Sequence, residues 1–208
     1  MDQAYAAILD AICNGTLKPG ERLTQDDVAQ RLNVSRQPIH NALAVLKAQG
    51  FVQEAGRRGL SVAPIDPKLF EAIYQLRSAI EPLAVRLASD HLDEAAMRHG
   101  RALVARGKEA AAKKDVKSLV AADMAFHSFV YELSDNSLIL EMMRLNWHHL
   151  RRAMGEVLRL PDLAKRVWQE HEAILETMIA RDAEEAARLI HNHVVLAHKD
   201  VLASLRAD

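Results

Sequence analysis

Asp123 and His127 stand four residues apart in Ala122-Asp123-Met124-Ala125-Phe126-His127. In a helix that spacing sets a carboxylate and an imidazole on one face about one turn apart, where they can share a cation. His171, within Gln169-Glu170-His171-Glu172-Ala173-Ile174, and His193, within Leu189-Ile190-His191-Asn192-His193, would come from two further helices. Three imidazoles and one carboxylate from three helices could hold a transition metal inside a bundle. A lone helical histidine is ordinarily a surface or satisfied core residue, and His91, His99, His148, His149, His191 and His198 are expected to be of that kind, with His148 and His149 able to line a cavity. The run His171-Glu172-Ala173-Ile174-Leu175 opens like the HExxH zinc-protease signature and fails at Leu175, where the second histidine would stand. With no nucleophile motif and no Gly-rich phosphate loop, the expectation is a ligand-sensing site and not an enzyme; a metal-dependent small-molecule enzyme with an accessory N-terminal domain is the alternative.

A second chemistry lies upstream. Ser35-Arg36-Gln37-Pro38-Ile39-His40-Asn41 reads as the start of a helix capped by Ser35, with Ile39, Leu43 and Leu46 inward. At the mouth of a recognition helix, Arg36 suits a bidentate contact to guanine, Gln37 and Asn41 suit adenine, and Ser35 can touch phosphate. Gly56-Arg57-Arg58-Gly59 forms the tip of a short hairpin whose arginines could reach phosphate or the minor groove. The whole chain has a net charge of −1, which argues against a nucleic-acid partner, yet residues 28–59 alone carry Arg31, Arg36, Lys47, Arg57 and Arg58 against Glu54, a net of +4. Screening over ~8 Å makes the local charge the relevant one. Solvated arginines on a small interaction domain are the competing reading.

The elements that must position these groups can be laid out from the breakers. The 208 residues are 50% hydrophobic but only 4% aromatic, with 8 Gly and 6 Pro, a balance that favours a mainly helical chain over an all-β one. Cys13, the single cysteine, rules out an intramolecular disulfide. No apolar run approaches the ~18 residues of a membrane span and the N-terminus has no basic n-region, so a cytoplasmic location without membrane contact is expected. The segment Ala63-Pro64-Ile65-Asp66-Pro67 marks a boundary. Before it come a helix from Tyr5 to Asn14, a short helix capped by Thr24 with Asp27 three residues on, the Ser35 helix, and a hairpin of residues 51–63. This is the order of a winged helix-turn-helix. After it, about six long helices follow, the first with a stripe of Ile73, Leu76, Ile80, Leu83 and Leu87, the second capped by Asp93, the third opened by Asp115 and the sixth capped by Asp182. The expected division is a DNA-binding domain over 1–63, a linker over 64–68 and an all-helical bundle over 69–208.

Leu17-Lys18-Pro19-Gly20-Glu21-Arg22-Leu23, Val28-Ala29, Leu32 through Ile39, Ala42-Leu43, Gly50-Phe51-Val52 and Arg57-Arg58-Gly59 together resemble the DNA-binding domain of the GntR family of bacterial transcriptional regulators. The family usually has arginine where His40 stands and often a basic residue where Asp26 stands, so His40 carries over only as a position and the operator sequence is expected to depart from the family norm. Residues 69–206 resemble the FCD effector-binding domain of the FadR-type subfamily, in Tyr74-Gln75-Leu76-Arg77, Ile80-Glu81-Pro82-Leu83-Ala84, Asp123 with Phe126-His127, His171 with Ile174, and Arg181-Asp182-Ala183-Glu184 followed by His193. Six helices resemble its shorter, VanR-like group. The resemblance implies Asp123, His127, His171 and His193 as ligands of a divalent transition metal, zinc first, with nickel or manganese also suitable. It further implies a homodimer on palindromic operator DNA; repression relieved by a small organic acid is the expected mode. Arg77 is a candidate partner for that acid's carboxylate, its competing role a surface salt bridge to Glu81.

Overall fold

The computed structural model describes every residue except Met1, Val34, Arg36, Gln37, Arg57, Arg58, Arg159 and 206–208. The chain divides into two compact units. One comprises Met1–Asp66 with His148–Arg152, the other Pro67–Trp147 with Ala153–Asp208.

In the first unit, α1 (Asp2–Cys13), α2 (Gln25–Leu32) and α3 (Ile39–Ala48) pack beside a sheet of β1 (Arg22–Leu23), β2 (Val52–Ala55) and β3 (Gly59–Val62). The strand order is β1-β3-β2, antiparallel throughout, with Arg22 opposite Ser61 and Val52 opposite Val62. Ile8, Leu17, Val28, Ile39, Leu46, Phe51 and Val62 fill one core. Thr24 caps α2 by accepting from the Asp27 amide, and α2 ends at Asn33 in the left-handed conformation (φ 51°). That residue type tolerates the conformation, and it turns the chain toward α3. The hairpin expected from the sequence is a three-stranded sheet, because the two residues of β1 add to the edge of β3. The cap of α3 also differs: the described helix opens at Ile39 with Pro38 at the N-cap position and no side-chain cap. Proline's fixed φ and missing N–H suit the first turn of a helix.

The second unit holds α4 (Pro67–Asp90), α5 (Glu94–Lys113), α6 (Val116–Leu133), most of α7 (Ser137–Val157), α8 (Pro161–Ile179) and α9 (Ala183–Leu205). Asp93 and Asp115 cap α5 and α6 by accepting from the amides of Ala96 and Ser118, and Asp182 accepts from Glu185 ahead of α9. The face α4 buries is not the stripe expected. Phe70, Ile73, Tyr74, Arg77, Glu81, Ala84, Val85 and Ala88 point inward, whereas Leu83 is 45% exposed. A guanidinium and a carboxylate at i and i+4 neutralise one another, which lets this polar pair turn inward and rotates the leucines toward the flank. Pro82 cannot donate to the Ser78 carbonyl, and His191 Nδ1 of α9 meets that oxygen at 3.2 Å.

Candidate metal centre and DNA-binding unit

α6 carries Asp123 and His127 inward one turn apart, as their spacing requires, while α8 and α9 supply His171 and His193. All four side chains are buried. One ring nitrogen from each of the three histidines lies within 4.8 Å of the other two, a group able to hold a metal ion. His171 Nε2 is 3.3 Å from His193 Nε2 and 3.6 Å from Asp123 Oδ1. Phe126 stacks on the His171 ring at 4.3 Å between centroids, and Trp168 meets the same ring edge-on at 4.8 Å.

The partners of the outer nitrogens assign the protons. His193 Nδ1 is 2.7 Å from Glu170 Oε2, so Nδ1–H donates outward and the Nε2 lone pair faces the interior. His171 must then donate from Nε2 toward His193, and its own Nδ1 is buried without a partner. On His127, Nε2 faces Arg77 Nη2 at 3.4 Å. Because guanidinium only donates, that Nε2 accepts and the proton sits on Nδ1, which is 3.2 Å from Glu81 Oε2. Burial drives the His171 imidazole well below its ordinary pKa, and the neighbouring His193 and His127 add to the effect, so the ring is neutral. Imidazole nitrogens beside a carboxylate are the donor set of a borderline transition cation, and the centre fits such an ion.

Arg77 lies beside this centre and not on the surface. Its Nε donates to Glu81 Oε1 at 2.6 Å, and its guanidinium carbon stands 5.0 Å from the Trp147 ring centroid. Tyr131 also donates to Glu81 Oε1, at 2.7 Å. Burial opposes ionisation of Glu81, but Arg77 and His127 outweigh it and hold the carboxyl well below the usual range. Burial pushes the Tyr131 phenol well up, with the Glu81 charge acting in the same direction. Tyr131, Trp147 and Glu170 carried no signal in the sequence; Glu81 was visible as the i+4 partner of Arg77 and within the Ile80–Ala84 block of the family resemblance. The histidines expected to be unremarkable also have packing roles. His149 is buried and stacks on Phe51 at 4.0 Å with its Nε2 3.1 Å from the Gln49 carbonyl. His198 stacks on Tyr74 at 5.0 Å, His99 meets Phe129 edge-on, and His91 Nδ1 is 2.9 Å from the Leu133 carbonyl.

In the first unit, Ser35, His40 and Asn41 are exposed, and His40 Nδ1 is 3.4 Å from Gln25 Nε2. Gly59 sits at the neck of the hairpin, where a Cβ would stand 2.6 Å from the Ala55 carbonyl oxygen. Arg36, Gln37, Arg57 and Arg58 lie outside the described residues. Of the other two cations in the basic stretch, Arg31 is paired with Glu21 and Lys47 with Glu54.

Residues 72–196 match the FCD domain, and residues 1–62 match the bacterial regulatory proteins of the gntR family. The chain belongs to the GntR family. It is a DNA-binding transcriptional regulator with an FCD effector domain. The HTH-type transcriptional regulator YdhC of Bacillus subtilis (strain 168) is 25% identical over 197 residues, 92% of this chain and 86% of YdhC. The E. coli McbR/YncC structure superposes with a TM-score of 0.83 at 20% identity, covering 97% of this chain and 96% of that one. A GntR protein from Rhodococcus sp. RHA1 gives 0.79 at 24% identity, over 98% and 97% of the two chains. The gntR-family match and a relative named as a transcriptional regulator set aside the metal-dependent enzyme. Among the described residues no helix is long and apolar enough to cross a membrane.

Proposed function

We propose that this GntR regulator is a cytoplasmic homodimeric repressor whose affinity for a palindromic operator is set by a small carboxylate bound at a metal centre in the FCD domain. The observation that carries the reading is the convergence of the buried side chains of His127, His171 and His193 from α6, α8 and α9, with Asp123 3.6 Å from His171. These four residues would hold a divalent transition metal, with zinc the first choice and nickel or manganese alternatives. When bound, such an ion supplies a Lewis-acidic positive charge that attracts a carboxylate. Four protein ligands leave room in a six-coordinate shell for that carboxylate. Arg77, whose Nη2 reaches 3.4 Å from His127 Nε2, presents a guanidinium edge at the same place and would orient the second oxygen of the acid.

Ser35, Arg36, Gln37, His40 and Asn41 would meet the major groove, with Arg57, Arg58 and Gly59 as the wing. Regulation is a matter of linkage. An effector that binds the DNA-incompetent arrangement more tightly shifts the population toward it, with coupling of about 5–150-fold in operator affinity.

Two measurements test the reading. Binding to DNA from the chain's own promoter region should weaken steeply with salt and be lost in Arg36→Ala; absence of DNA binding by both metal-free and metal-loaded protein would overturn it. Elemental analysis should find a transition metal in the native protein and none in His171→Ala/His193→Ala. Equal metal content in the two would reject the ligand set.

A further inference from the structure

Behind His193 stands a charged chain that leads away from the centre. Glu170, one residue before His171 on α8, turns its Oε2 to His193 Nδ1 at 2.7 Å, across to α9. Its other oxygen, Oε1, faces Arg166 Nε at 3.2 Å, an ion pair and not an aligned hydrogen bond. Arg166 in turn donates through Nη2 to Asp200, seven residues beyond His193 on α9. His193 is 3% exposed in its side chain and Glu170 21%, so the contact between them is largely shielded from water.

We propose that Glu170 is a positioning residue for the metal centre: it holds the proton of His193 on Nδ1 and thereby aims the Nε2 lone pair at the cation, with Arg166 and Asp200 fixing the carboxylate. The proposal rests on the metal reading given above but concerns a residue outside the ligand set. An imidazole offers only one lone pair when neutral, and the hydrogen bond made by the outer nitrogen decides which nitrogen has it. The three histidines differ in this respect. His193 Nδ1 has a carboxylate oxygen at 2.7 Å and His127 Nδ1 one at 3.2 Å, whereas His171 Nδ1 has no partner. Removal of the Glu170 carboxylate would leave His193 free to move its proton to Nε2, where it blocks the metal.

The test compares Glu170→Gln and Glu170→Asp with wild type. Glu170→Gln keeps the size of the side chain but offers one carbonyl oxygen to two donors, His193 and Arg166; Glu170→Asp keeps two acceptor oxygens. Long-range nitrogen–proton NMR of the metal-free proteins should place the His193 proton on Nδ1 in wild type and Glu170→Asp, and partly on Nε2 in Glu170→Gln. Zinc affinity, measured by competition with a chromophoric chelator, should fall about 10–100-fold in Glu170→Gln and recover toward wild type in Glu170→Asp. Thermal midpoints of the metal-free proteins serve as the check on folding. A folded Glu170→Gln protein that keeps His193 on Nδ1 and binds zinc as wild type does would overturn the proposal. Failure of wild type itself to bind zinc would instead sink the metal reading, while the metal-free NMR comparison would still decide whether Glu170 sets the His193 tautomer.

Discussion

His171 Nε2 and His193 Nε2 face each other at 3.3 Å inside the FCD bundle, so that one ring spends its N–H on the other while the His171 Nδ1 is left without a partner. A cation between the two Nε2 atoms, with the His171 proton moved to Nδ1, would replace this contact, and only in the folded state. Zinc at 100 times its dissociation constant should then stabilise the protein by about 2.7 kcal/mol, read as a higher thermal midpoint. The shift should vanish in His171→Ala/His193→Ala. An identical rise in that variant would place the ion elsewhere.

Glu81 and Arg77 form a buried pair in which each removes the cost of the other's charge. Glu81→Ala strands the guanidinium and also takes the acceptor from Tyr131, so it should lose about 3–5 kcal/mol in urea unfolding. Arg77→Met/Glu81→Leu should lose much less than the sum of the single changes, because no unpaired charge stays inside. Additive losses would mean that the two groups do not compensate one another.

His149 confers a dependence on acid in the first unit. Burial lowers its pKa from 6.5 to about 4, with the hydrogen bond to the Gln49 carbonyl acting only partly against this. Between those values the unfolded chain binds a proton that the folded chain does not, so stability is complete above about pH 6.5 and declines as pH falls toward 4. With screening by solvent, the loss is on the order of 1–2 kcal/mol. His149→Phe keeps the ring against Phe51 and should lack this component. Parallel pH profiles of the two proteins from 4 to 7 would show that His149 does not carry it.

What could be read in advance was local. The Thr24, Asp93 and Asp115 caps depend on residues three positions away, so chain order contains them, and the breakers near Pro64 and Pro67 mark where one helical pattern gives way to another. That Asp123 and His127 share the inward face of α6 is likewise a matter of helical period. What brings His171 and His193 to the same place is the packing of three helices, and the sequence supplied that only through family resemblance. The inward face of α4 was misread because Arg77 and Glu81 look like surface residues until each is seen to neutralise the other. Glu170 was hidden for a related reason: it acts on a residue of α9, and nothing in its own neighbourhood along α8 indicates which helix lies opposite. His149 looked isolated because its partners, Phe51 and the Gln49 carbonyl, are about 100 residues away in the chain.

The packing of Gly107 of α5 against Trp168 of α8 leads to a prediction in which propensity and packing oppose each other. Gly107 is buried in the middle of α5, and a Cβ there would stand 2.1 Å from Cζ2 of Trp168. Helix propensity alone favours alanine by about 1 kcal/mol. Overpacking against a buried indole costs about 1–3 kcal/mol, and an overlap this deep lies at the upper end, so Gly107→Ala should lower the unfolding midpoint. The indole cannot yield without effect on the centre, since its ring meets that of His171 edge-on at 4.8 Å. Zinc affinity should therefore fall together with stability, and Trp168→Leu in the Gly107→Ala background should restore part of the stability by making room for the methyl group. A Gly107→Ala protein with a raised midpoint and unchanged zinc affinity would show that α5 and α8 have slack at this contact, and that Trp168 does not hold His171 in place.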